Sequence, residues 1–599
     1  MISKQRTWGQ FATPTDVADL LLGFGLRRPS DRLLDPSCGD GALLRRAARW
    51  QSWLSPSAAD PPRDTLYGVE LDAEAAARAA AVAGATIVQA NFFALAPAAS
   101  PALPANWPPA GFDAIVGNPP YTRAEWIGRL GDAAQLPLFA DDRPAAAAPA
   151  RAVPPDLAAA LSGRAGLHAY FLLHSLPFLR DRGRLGFVMP NGWLDVAYGA
   201  ALKRFLLDHF RVVAIVESAV ERWFAAAGVN TCLLILERAD DAAARAANRV
   251  RFARLARPLR DLLGGAADDA RRVAAVEQLI GRLLPGDDRL GGDVAVRVRR
   301  QGELDPAARW GELLRAPAVA LRPSAPSSAP LGRWAVVHRG HTTGANDFFY
   351  LDAAHVAAWA IEPEFRRPLL KSLRGVTRLH LSAADSDHQL LTIPAEARLA
   401  GTAAAAYVAW GEARGLHRRS TCAARRPWYT LHAQPEGQLL LAKGVWQRHF
   451  APLSDGPLAV DQQIYRLWMD AALMPAAAAL LNSAWFALQC ELRGRVNLGE
   501  GVLWLATYEL AAMPLPDPTA LAAGQRAALA AAHERLSAHP IAPTSGDDLA
   551  QPERLALDEL VFDLVGLSAA ERRAAREALL ACLDGRRRRA SHIAPENGA

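Results

Sequence analysis

From residue 10 to about residue 238, short runs of apolar and β-branched residues alternate with longer stretches whose apolar residues recur at helical spacing. Such alternation is typical of a parallel sheet covered by helices on both faces. The pattern therefore predicts an α/β fold for this part of the chain. The predicted strands are residues 32–35, 66–70, 86–89, 114–117, 185–189, 212–217 and 232–237.

The rest of the chain divides into three segments by the same criterion. Residues 239–330 are highly charged and lack strand-like alternation, so we interpret them as a helical or irregular bridge. Strand-like runs and tryptophans return over residues 331–517, which predicts a second α/β domain. Residues 518–599 form a predicted helical region in which arginines 586–589 are expected to be a solvated tail, with a flexible electrostatic contact as the alternative. The Pro- and Ala-rich residues 134–162 are predicted to form a surface loop.

The composition is that of a folded protein, with 51% apolar and 21% charged residues in a chain of 599, long enough for at least two domains. The five cysteines lie far apart without zinc-type spacing, so we expect neither disulfides nor a metal site, in a reducing cytoplasm. A signal-peptide pattern and an apolar run of ~20 residues are both lacking, so no membrane partner is expected. The net charge of +6 is modest, but grouped arginines suit a polyanion.

Near the start of the first domain, an apolar strand runs into a glycine turn. Asp35 ends the strand, and Gly39 and Gly41 precede the next helical stretch. Glycines at such a turn let the backbone approach a ligand closely. The next strand ends at Glu70, whose carboxylate is suited to accept hydrogen bonds from both hydroxyls of a ribose.

The strand predicted at residues 114–117 leads into a turn made of Asn118, Pro119, Pro120 and Tyr121. Ligands of open α/β sheets bind at the carboxyl ends of the strands. The Asn118 amide oxygen and the Pro119 carbonyl are two acceptors held by prolines of fixed φ, and an exocyclic amine has two N–H donors. Two acceptors can draw the amine lone pair out of conjugation with its ring. Tyr121 offers an aromatic face for a base that has left the duplex.

In this order, and preceded by residues 9–14, these motifs resemble the gamma group of N6-adenine DNA methyltransferases. The resemblance implies a Rossmann-like, S-adenosylmethionine-dependent methyltransferase domain over residues 1–238, with residues 118–121 as its catalytic turn. The cofactor contacts that it implies are Thr13, Asp35, Gly39 and Gly41 at the methionine end and Glu70 at the ribose.

The resemblance implies three further site residues. The family has an aromatic residue that packs on the flipped adenine, and this position corresponds to Phe224, with Trp223 as the alternative. Family members usually have an aspartate that accepts from the adenine amine of the cofactor, where this chain has Asn91. An asparagine oxygen can accept the same hydrogen bond. Phe92 is expected to stack on the adenine ring of the cofactor.

The second domain resembles the target-recognition domains found beside such catalytic domains in restriction-modification systems. The resemblance rests on residues 340–349, 363–371, 480–483 and 513–516. Double-stranded DNA is therefore the expected partner, and basic side chains are expected to contact its phosphates. The candidate phosphate contacts are Arg366, Arg367, Arg425, Arg426 and Lys443.

Together the motifs predict a site-specific enzyme of the bacterial cytoplasm that methylates the N6 amine of adenine in DNA without a metal ion. The restriction-modification context suggests a cognate restriction endonuclease as a further partner. Two alternatives stay open. A turn like that at residues 118–121 also serves methylation of glutamine in proteins or of guanine N2 in RNA. A catalytically inactive DNA-binding specificity subunit is the other alternative, because Asn91 departs from the family pattern.

Overall fold

The computed structural model describes residues 12–54, 64–82, 84–97, 103–121, 161, 165–196, 198–224, 229–265, 268–321, 325–386, 388–432, 434, 439–456, 458–495 and 502–591. The predicted loop at residues 134–162 lies outside these residues, except for Leu161. The chain divides into two compact units, residues 1–316 with 588–599 and residues 317–587.

The first unit is built on one large sheet. Its strands are β1 (Leu33–Asp35), β2 (Leu66–Glu70), β3 (Ala85–Gln89), β4 (Phe112–Gly117), β5 (Leu179–Pro190), β6 (Phe210–Ser218), β7 (Thr231–Arg238), β8 (Arg249–Leu255) and β9 (Val294–Arg300). Over the described residues the strand order is β3-β2-β1-β4-β5-β7-β6-β8-β9. The strands from β3 to β5 are parallel, whereas β7 is antiparallel to β5 and β6, and β9 is antiparallel to β8.

Helices pack against this sheet and bury its two faces. They are α1 (Thr15–Gly25), α2 (Ala42–Leu54), α3 (Ala73–Ala79), α4 (Leu167–Ser175), α5 (Gly199–His209), α6 (Ala242–Ala247), α7 (Leu259–Leu262), α8 (Arg271–Leu283) and α9 (Trp310–Arg315). Successive strand residues point to opposite faces, so Leu33 lies in one apolar cluster and Leu34 in the other. Burial on both faces explains why the central strands are continuous apolar runs.

The structure differs from the predicted bridge over residues 239–316. β8 pairs with β6 and β9 pairs with β8, so this segment extends the sheet of the first unit. In β9 the buried residues Val294 and Val296 are followed by three arginines within five positions. Arg297 is buried and donates to the carbonyls of Leu313 and Ala316 at 2.6 and 2.9 Å, whereas Arg299 and Arg300 are more exposed, as an edge strand permits. These arginines explain why the segment lacks the apolar pattern of a central strand.

The second unit contains smaller sheets. Its strands are β10 (Ser328–Pro330), β11 (Val336–Arg339), β12 (Tyr350–Leu351), β13 (Arg366–Leu370), β14 (His380–Leu381), β15 (His388–Leu391), β16 (Leu439–Ala442), β17 (Gly444–Val445), β18 (Leu453–Ser454), β19 (Ala459–Val460), β20 (Ile464–Trp468), β21 (Leu503–Trp504) and β22 (Pro514–Pro516). The two larger sheets have the orders β11-β20-β16-β18-β14 and β12-β15-β13-β19. The unit of residues 317–587 includes all of residues 331–517, for which a second α/β domain is predicted.

The helices of the second unit include a C-terminal group. They are α10 (Asn346–Phe349), α11 (Ala353–Trp359), α12 (Ala403–Ala413), α13 (Ser420–Ala423), α14 (Met474–Leu481), α15 (Ala484–Arg493), α16 (Thr507–Ala511), α17 (Ala523–Ser537), α18 (Ser545–Leu549), α19 (Pro552–Val565) and α20 (Ala569–Ser591). No single described helix is long and apolar enough to cross a membrane; Ala471–Leu481 and Ala484–Arg493, bent by 72°, pass that test only as a pair.

Arg586 does not belong to a solvated tail, contrary to the sequence-based expectation. It is 2% exposed, and its guanidinium bonds to Glu491 at 2.7 Å and to the carbonyl oxygen of Val445 at 3.2 Å. Glu491 lies 95 residues away in the chain, so a run of arginines gives no sign of this partner. A buried guanidinium is retained because its charge is paired and hydrogen-bonded.

Candidate active site

The turn between β1 and α2 exposes backbone at the carboxyl edge of the sheet. Gly39 and Gly41 have φ angles of +55° and +83°, in the left-handed region that favours glycine. A Cβ on Gly41 would lie 2.9 Å from Val82 Cγ2 and 3.0 Å from Ala79 Cα, so a side chain does not fit there. No described atom lies within 4 Å of a Cβ built on Gly39. The turn therefore leaves room for a ligand beside Gly39.

Two buried carboxylates lie next to this turn, at the ends of β1 and β2. Asp35 Oδ1 accepts a hydrogen bond from the Ser37 N–H at 3.1 Å, and Glu70 accepts from the N–H groups of Gly39 at 2.8 Å and Asp72 at 2.9 Å. Burial raises the pKa of Asp35 to about 7; the charge of Glu70 adds to this rise and the Ser37 N–H opposes it. With exposures of only 3% and 4%, the two acids form a site that favours a cationic ligand.

Asn91 and Phe92 follow β3 and begin a 3-10 helix. Asn91 Oδ1 accepts from the Phe93 N–H at 3.1 Å, and an amide oxygen has a second lone pair for another donor. The Phe92 ring is 2% exposed and stacks on Phe171, with ring centroids 5.6 Å apart. Other side chains thus cover the Phe92 ring. Its stacking on the cofactor adenine stays a prediction, and such stacking needs one face of the ring to become exposed.

Thr13 is half-buried and lies two residues before α1. The carbonyl of Pro14 accepts the N–H of Ala18 at 2.9 Å, which connects this segment to the first turn of the helix. α1 packs against β4 and β5. The contact of Thr13 with a cofactor remains a prediction.

The predicted catalytic turn follows β4 at the same edge of the sheet. The Tyr121 hydroxyl donates to Asn118 Oδ1 at 2.6 Å, which orients the Asn118 amide. A Cβ on Gly117 would lie 3.1 Å from Asp35 Oδ1, so the turn begins beside the buried acids. Burial raises the pKa of Tyr121, so its hydroxyl stays protonated and able to donate. Pro119 is buried and Pro120 half-buried. The acidic site and the polar turn are therefore adjacent, as group transfer between two ligands requires.

Aromatic side chains from distant segments meet at Tyr121. The Phe224 ring lies 6.1 Å from the Tyr121 ring, centroid to centroid, at an interplanar angle of 84°. The His168 ring, on α4, lies 6.5 Å from it at 86°. Trp223, the alternative to Phe224, donates its indole N–H to Glu221 at 2.9 Å. The structure thus brings Phe224 to Tyr121, and it adds His168, which was not among the predicted site residues.

A partly buried ion-pair network involves the strand that precedes Phe224. Arg315 donates to Glu217, at 2.6 and 2.9 Å, and to Asp195 at 2.8 Å. Glu217 also accepts from Asn191 Nδ2 at 2.8 Å, and the Asn191 N–H donates to the carbonyl of Asn230 at 2.9 Å. The network therefore connects the strands that precede and follow Phe224 in the chain. Sequence reasoning missed it because Glu217 and Arg315 are 98 residues apart; an acid at a predicted strand end was the available signal.

The predicted phosphate contacts of the second unit differ in exposure. Arg367 and Arg426 are exposed, Arg366 is half-buried, and Lys443 is half-buried with its ammonium 5.3 Å from the Trp504 ring. Arg425 is only 8% exposed. Its guanidinium donates to the carbonyls of Thr342 and Thr343 at 2.7 and 2.8 Å. These bonds connect Arg425 to a loop 82 to 83 residues away in the chain, whereas the exposed Arg426 donates to the nearby carbonyls of Ala423 and Arg425, at 2.8 and 2.9 Å.

Three features together define a Rossmann-like methyltransferase domain. They are the strand order β3-β2-β1-β4-β5-β7-β6 with β7 reversed, the acids at the ends of β1 and β2, and the polar turn after β4. Residues 2–257 match the N-6 DNA Methylase family, and residues 319–542 match the C-terminal domain of Type II methyltransferase M.Eco57I. The chain combines an N6-adenine DNA methyltransferase domain with a C-terminal domain of the M.Eco57I type.

Several similar proteins are Type II methyltransferases. The Type II methyltransferase M.XamI of Xanthomonas campestris pv. amaranthicola is 26% identical over 345 residues, which cover 56% of this chain and 54% of that protein. The Type II methyltransferase M.TthHB8I of Thermus thermophilus is 26% identical over 34% of this chain and 39% of its own length. The chain thus matches about half or less of these relatives. The Type IIL restriction-modification enzyme MmeI, solved in complex with DNA, shares the fold with a TM-score of 0.58 and 12% identity, over 95% of this chain and 75% of that one.

Proposed function

We propose that this protein is a site-specific DNA methyltransferase that transfers a methyl group from S-adenosylmethionine to the N6 amine of adenine. The observation that carries the proposal is the turn of Asn118 and Tyr121 beside the buried carboxylate of Asp35. The match of residues 2–257 to the N-6 DNA methylases supports this choice of reaction. The Type II relatives support a role in restriction-modification in the bacterial cytoplasm, with a cognate endonuclease as partner.

The residues around the glycine turn fit S-adenosylmethionine. Asp35 and Glu70 are buried acids that suit the cationic groups and hydroxyls of such a ligand, and the backbone at Gly39 borders open space. When bound, S-adenosylmethionine supplies a methyl group on a positively charged sulfur. Ionised Asp35 attracts the cationic methionine end, and the backbone bonds to Glu70 hold its carboxylate in one orientation for the ribose. Thr13 and Asn91 are the further proposed contacts.

The catalytic turn prepares the acceptor amine. The adenine N6 lone pair is delocalised into the ring, which makes the amine a weak nucleophile. Asn118 Oδ1 and the Pro119 carbonyl accept its two N–H groups and orient the lone pair toward the methyl donor. The Tyr121 hydroxyl keeps the Asn118 oxygen turned into the site. Fixed acceptors stabilise the positive charge that develops on the nitrogen during direct transfer.

A base must leave the duplex to reach this turn, and aromatic rings stabilise it outside the stack. Tyr121 and Phe224 are the proposed stacking residues, since their rings already lie 6.1 Å apart. Stacking on such rings is worth about 1–3 kcal/mol per base.

The second unit is proposed to recognise double-stranded DNA. Burial and the charges of Arg466, Arg367 and Arg425 lower the pKa of His341 to about 4, which reports a concentration of positive charge near β11 and β20. The exposed Arg367 and Arg426, with Arg366 and Lys443, are the proposed phosphate contacts. The M.Eco57I-type match of residues 319–542 supports this division of labour.

The test is transfer of label from tritiated S-adenosylmethionine to DNA from a methylation-deficient host, followed by digestion to nucleosides. Labelled N6-methyladenosine supports the proposal, and long-read sequencing of the same DNA then gives the recognised site. Label on RNA or protein instead would replace it with the corresponding methylation. Absence of label, together with DNA binding but no cofactor binding in calorimetry, would identify an inactive specificity subunit.

A further inference from the structure

We propose that His168 is a target-base-binding residue that donates a hydrogen bond to a ring nitrogen of the flipped adenine. The proposal rests on the proposed adenine methylation and adds a residue to its site. It is carried by the position of this side chain and by the lack of a hydrogen-bond partner for it among the described residues.

His168 is buried, and no hydrogen bond joins its ring to the part of the chain that the structure describes. It is the second residue of α4 and 3% exposed, and neither Nδ1 nor Nε2 has a partner among the residues that the structure describes. A buried polar group without a partner is costly, and native proteins rarely retain one without a reason. A partner that arrives with the substrate is such a reason.

The neighbours of His168 are those of the proposed base site. Its ring meets Tyr121 edge to face, with centroids 6.5 Å apart. Tyr121 in turn contacts Phe224 and donates to Asn118. The imidazole therefore lies next to a side chain that is proposed to hold the base.

A second histidine on the same helix, His174, has a structural role and serves as a comparison. His174 is also 3% exposed, but its Nε2 bonds to the carbonyls of Phe92 at 2.9 Å and Leu95 at 3.1 Å. Those bonds tie α4 to the segment after β3. The two histidines share a helix and a degree of burial. Among the described residues, His174 Nε2 has partners and His174 Nδ1 has none, whereas both ring nitrogens of His168 lack one.

The chemistry of His168 matches adenine. Burial lowers its pKa to about 4, so the imidazole is neutral at neutral pH, with one nitrogen donating and the other accepting. Adenine ring nitrogens N1, N3 and N7 are acceptors only, so the imidazole N–H suits any of them. Guanine carries a hydrogen on N1, so a donor facing that position would also disfavour guanine.

The test combines protein variants with base analogues at the mapped target site. His168→Phe removes the ring nitrogens at similar size, His168→Asn keeps a donor, and His174→Phe is the matched structural control. Duplexes carry adenine or its 1-deaza, 3-deaza or 7-deaza analogue, each lacking one ring nitrogen. Single-turnover methylation and melting temperature are measured for every pair.

We expect the wild-type rate to fall about 10- to 100-fold when one of the analogues replaces adenine. His168→Phe should show a similar loss of rate on adenine itself, and it should methylate adenine and that analogue at equal rates. His168→Asn should recover part of the rate. The melting temperature of His168→Phe should stay the same or rise, whereas His174→Phe should melt lower but keep the discrimination. Equal discrimination by wild type and His168→Phe overturns this inference alone. A wild type that does not methylate adenine overturns both it and the proposed function.

Discussion

The charged side chains at the sheet edge of the first unit and the arginines at residues 366, 367, 425 and 426 of the second unit differ in sign and in exposure. At the sheet edge, Asp35 and Glu70 are buried, and hydrogen bonds from backbone N–H groups orient their carboxylates. In the second unit, Arg367 and Arg426 are exposed, whereas Arg425 is buried against carbonyl groups. A small cationic ligand is bound best by a few desolvated acids, and a polyanion by many solvated cations. The location of a charge, more than its presence, decides which of these tasks it can perform.

The largest effect should come from removing the acceptor at the catalytic turn. Asn118→Ala should lower single-turnover methyl transfer by about 10³-fold, because the amine loses an oriented acceptor in the transition state. DNA affinity should stay within about threefold, since phosphate contacts supply most of it. Tyr121→Phe is the control: it keeps the aromatic ring, loses the hydroxyl that orients Asn118, and should cost only about tenfold. Normal turnover of Asn118→Ala would contradict the mechanism.

The next effect concerns the ion pairs that Arg315 makes with Glu217 and Asp195. Arg315→Met leaves Glu217 and Asp195 without their cation and should lower the free energy of unfolding by about 3 kcal/mol in urea titrations. Arg78→Met removes the exposed pair with Glu74, at 2.8 Å, and should cost less than about 1 kcal/mol. Similar losses of unfolding free energy for both variants would mean that burial does not make the Arg315 ion pairs more important for stability than the exposed Arg78–Glu74 pair.

Neighbouring arginines of the second unit sharpen the same contrast. Arg425→Met should lower the free energy of unfolding by about 2 kcal/mol, because the carbonyls of Thr342 and Thr343 lose their donor. Arg426→Met should leave stability unchanged and weaken DNA binding, with the slope of log K against log salt reduced by about 0.9. Chemical denaturation and binding isotherms at several salt concentrations distinguish the two. Reversed results would assign the phosphate contact to Arg425.

The smallest effect is the pH dependence of cofactor binding. With a pKa of about 7, Asp35 is mostly protonated at pH 6 and mostly ionised at pH 8. Only the ionised form attracts a cationic ligand, so affinity for S-adenosylmethionine should rise roughly tenfold over that range. The raised pKa has the opposite effect on the unliganded fold, whose stabilisation by this group is lost as pH rises through 7. Calorimetry on Asp35→Asn should give weaker binding without this pH dependence; an unchanged profile would assign it to another group.

The sequence anticipated strands β1 to β7 of the first sheet because each contains a short apolar run that ends at a turn, whereas β8 lies in the segment that was predicted to be a bridge. The motif residues Asp35, Glu70 and Asn118 follow three of those strands, and parallel strands place their carboxyl ends at one edge. Their proximity was therefore predictable. The edge strand β9 was not, because its arginines mask the alternation. Arg586 was misjudged for a related reason: its partner Glu491 is 95 residues away in the chain.

The sequence by itself determined the family, the order of the motifs and the residue types that suit methyl transfer, since all of these lie within short contiguous segments. Only the tertiary structure decided which charges are buried, that Arg315 joins Glu217 to Asp195, and that His168 meets Tyr121 while His174 bonds to carbonyls. Burial and pairing depend on contacts between residues far apart in the chain. Local patterns carry no record of those contacts, because the free energy of a charge or an imidazole is set by its surroundings after folding.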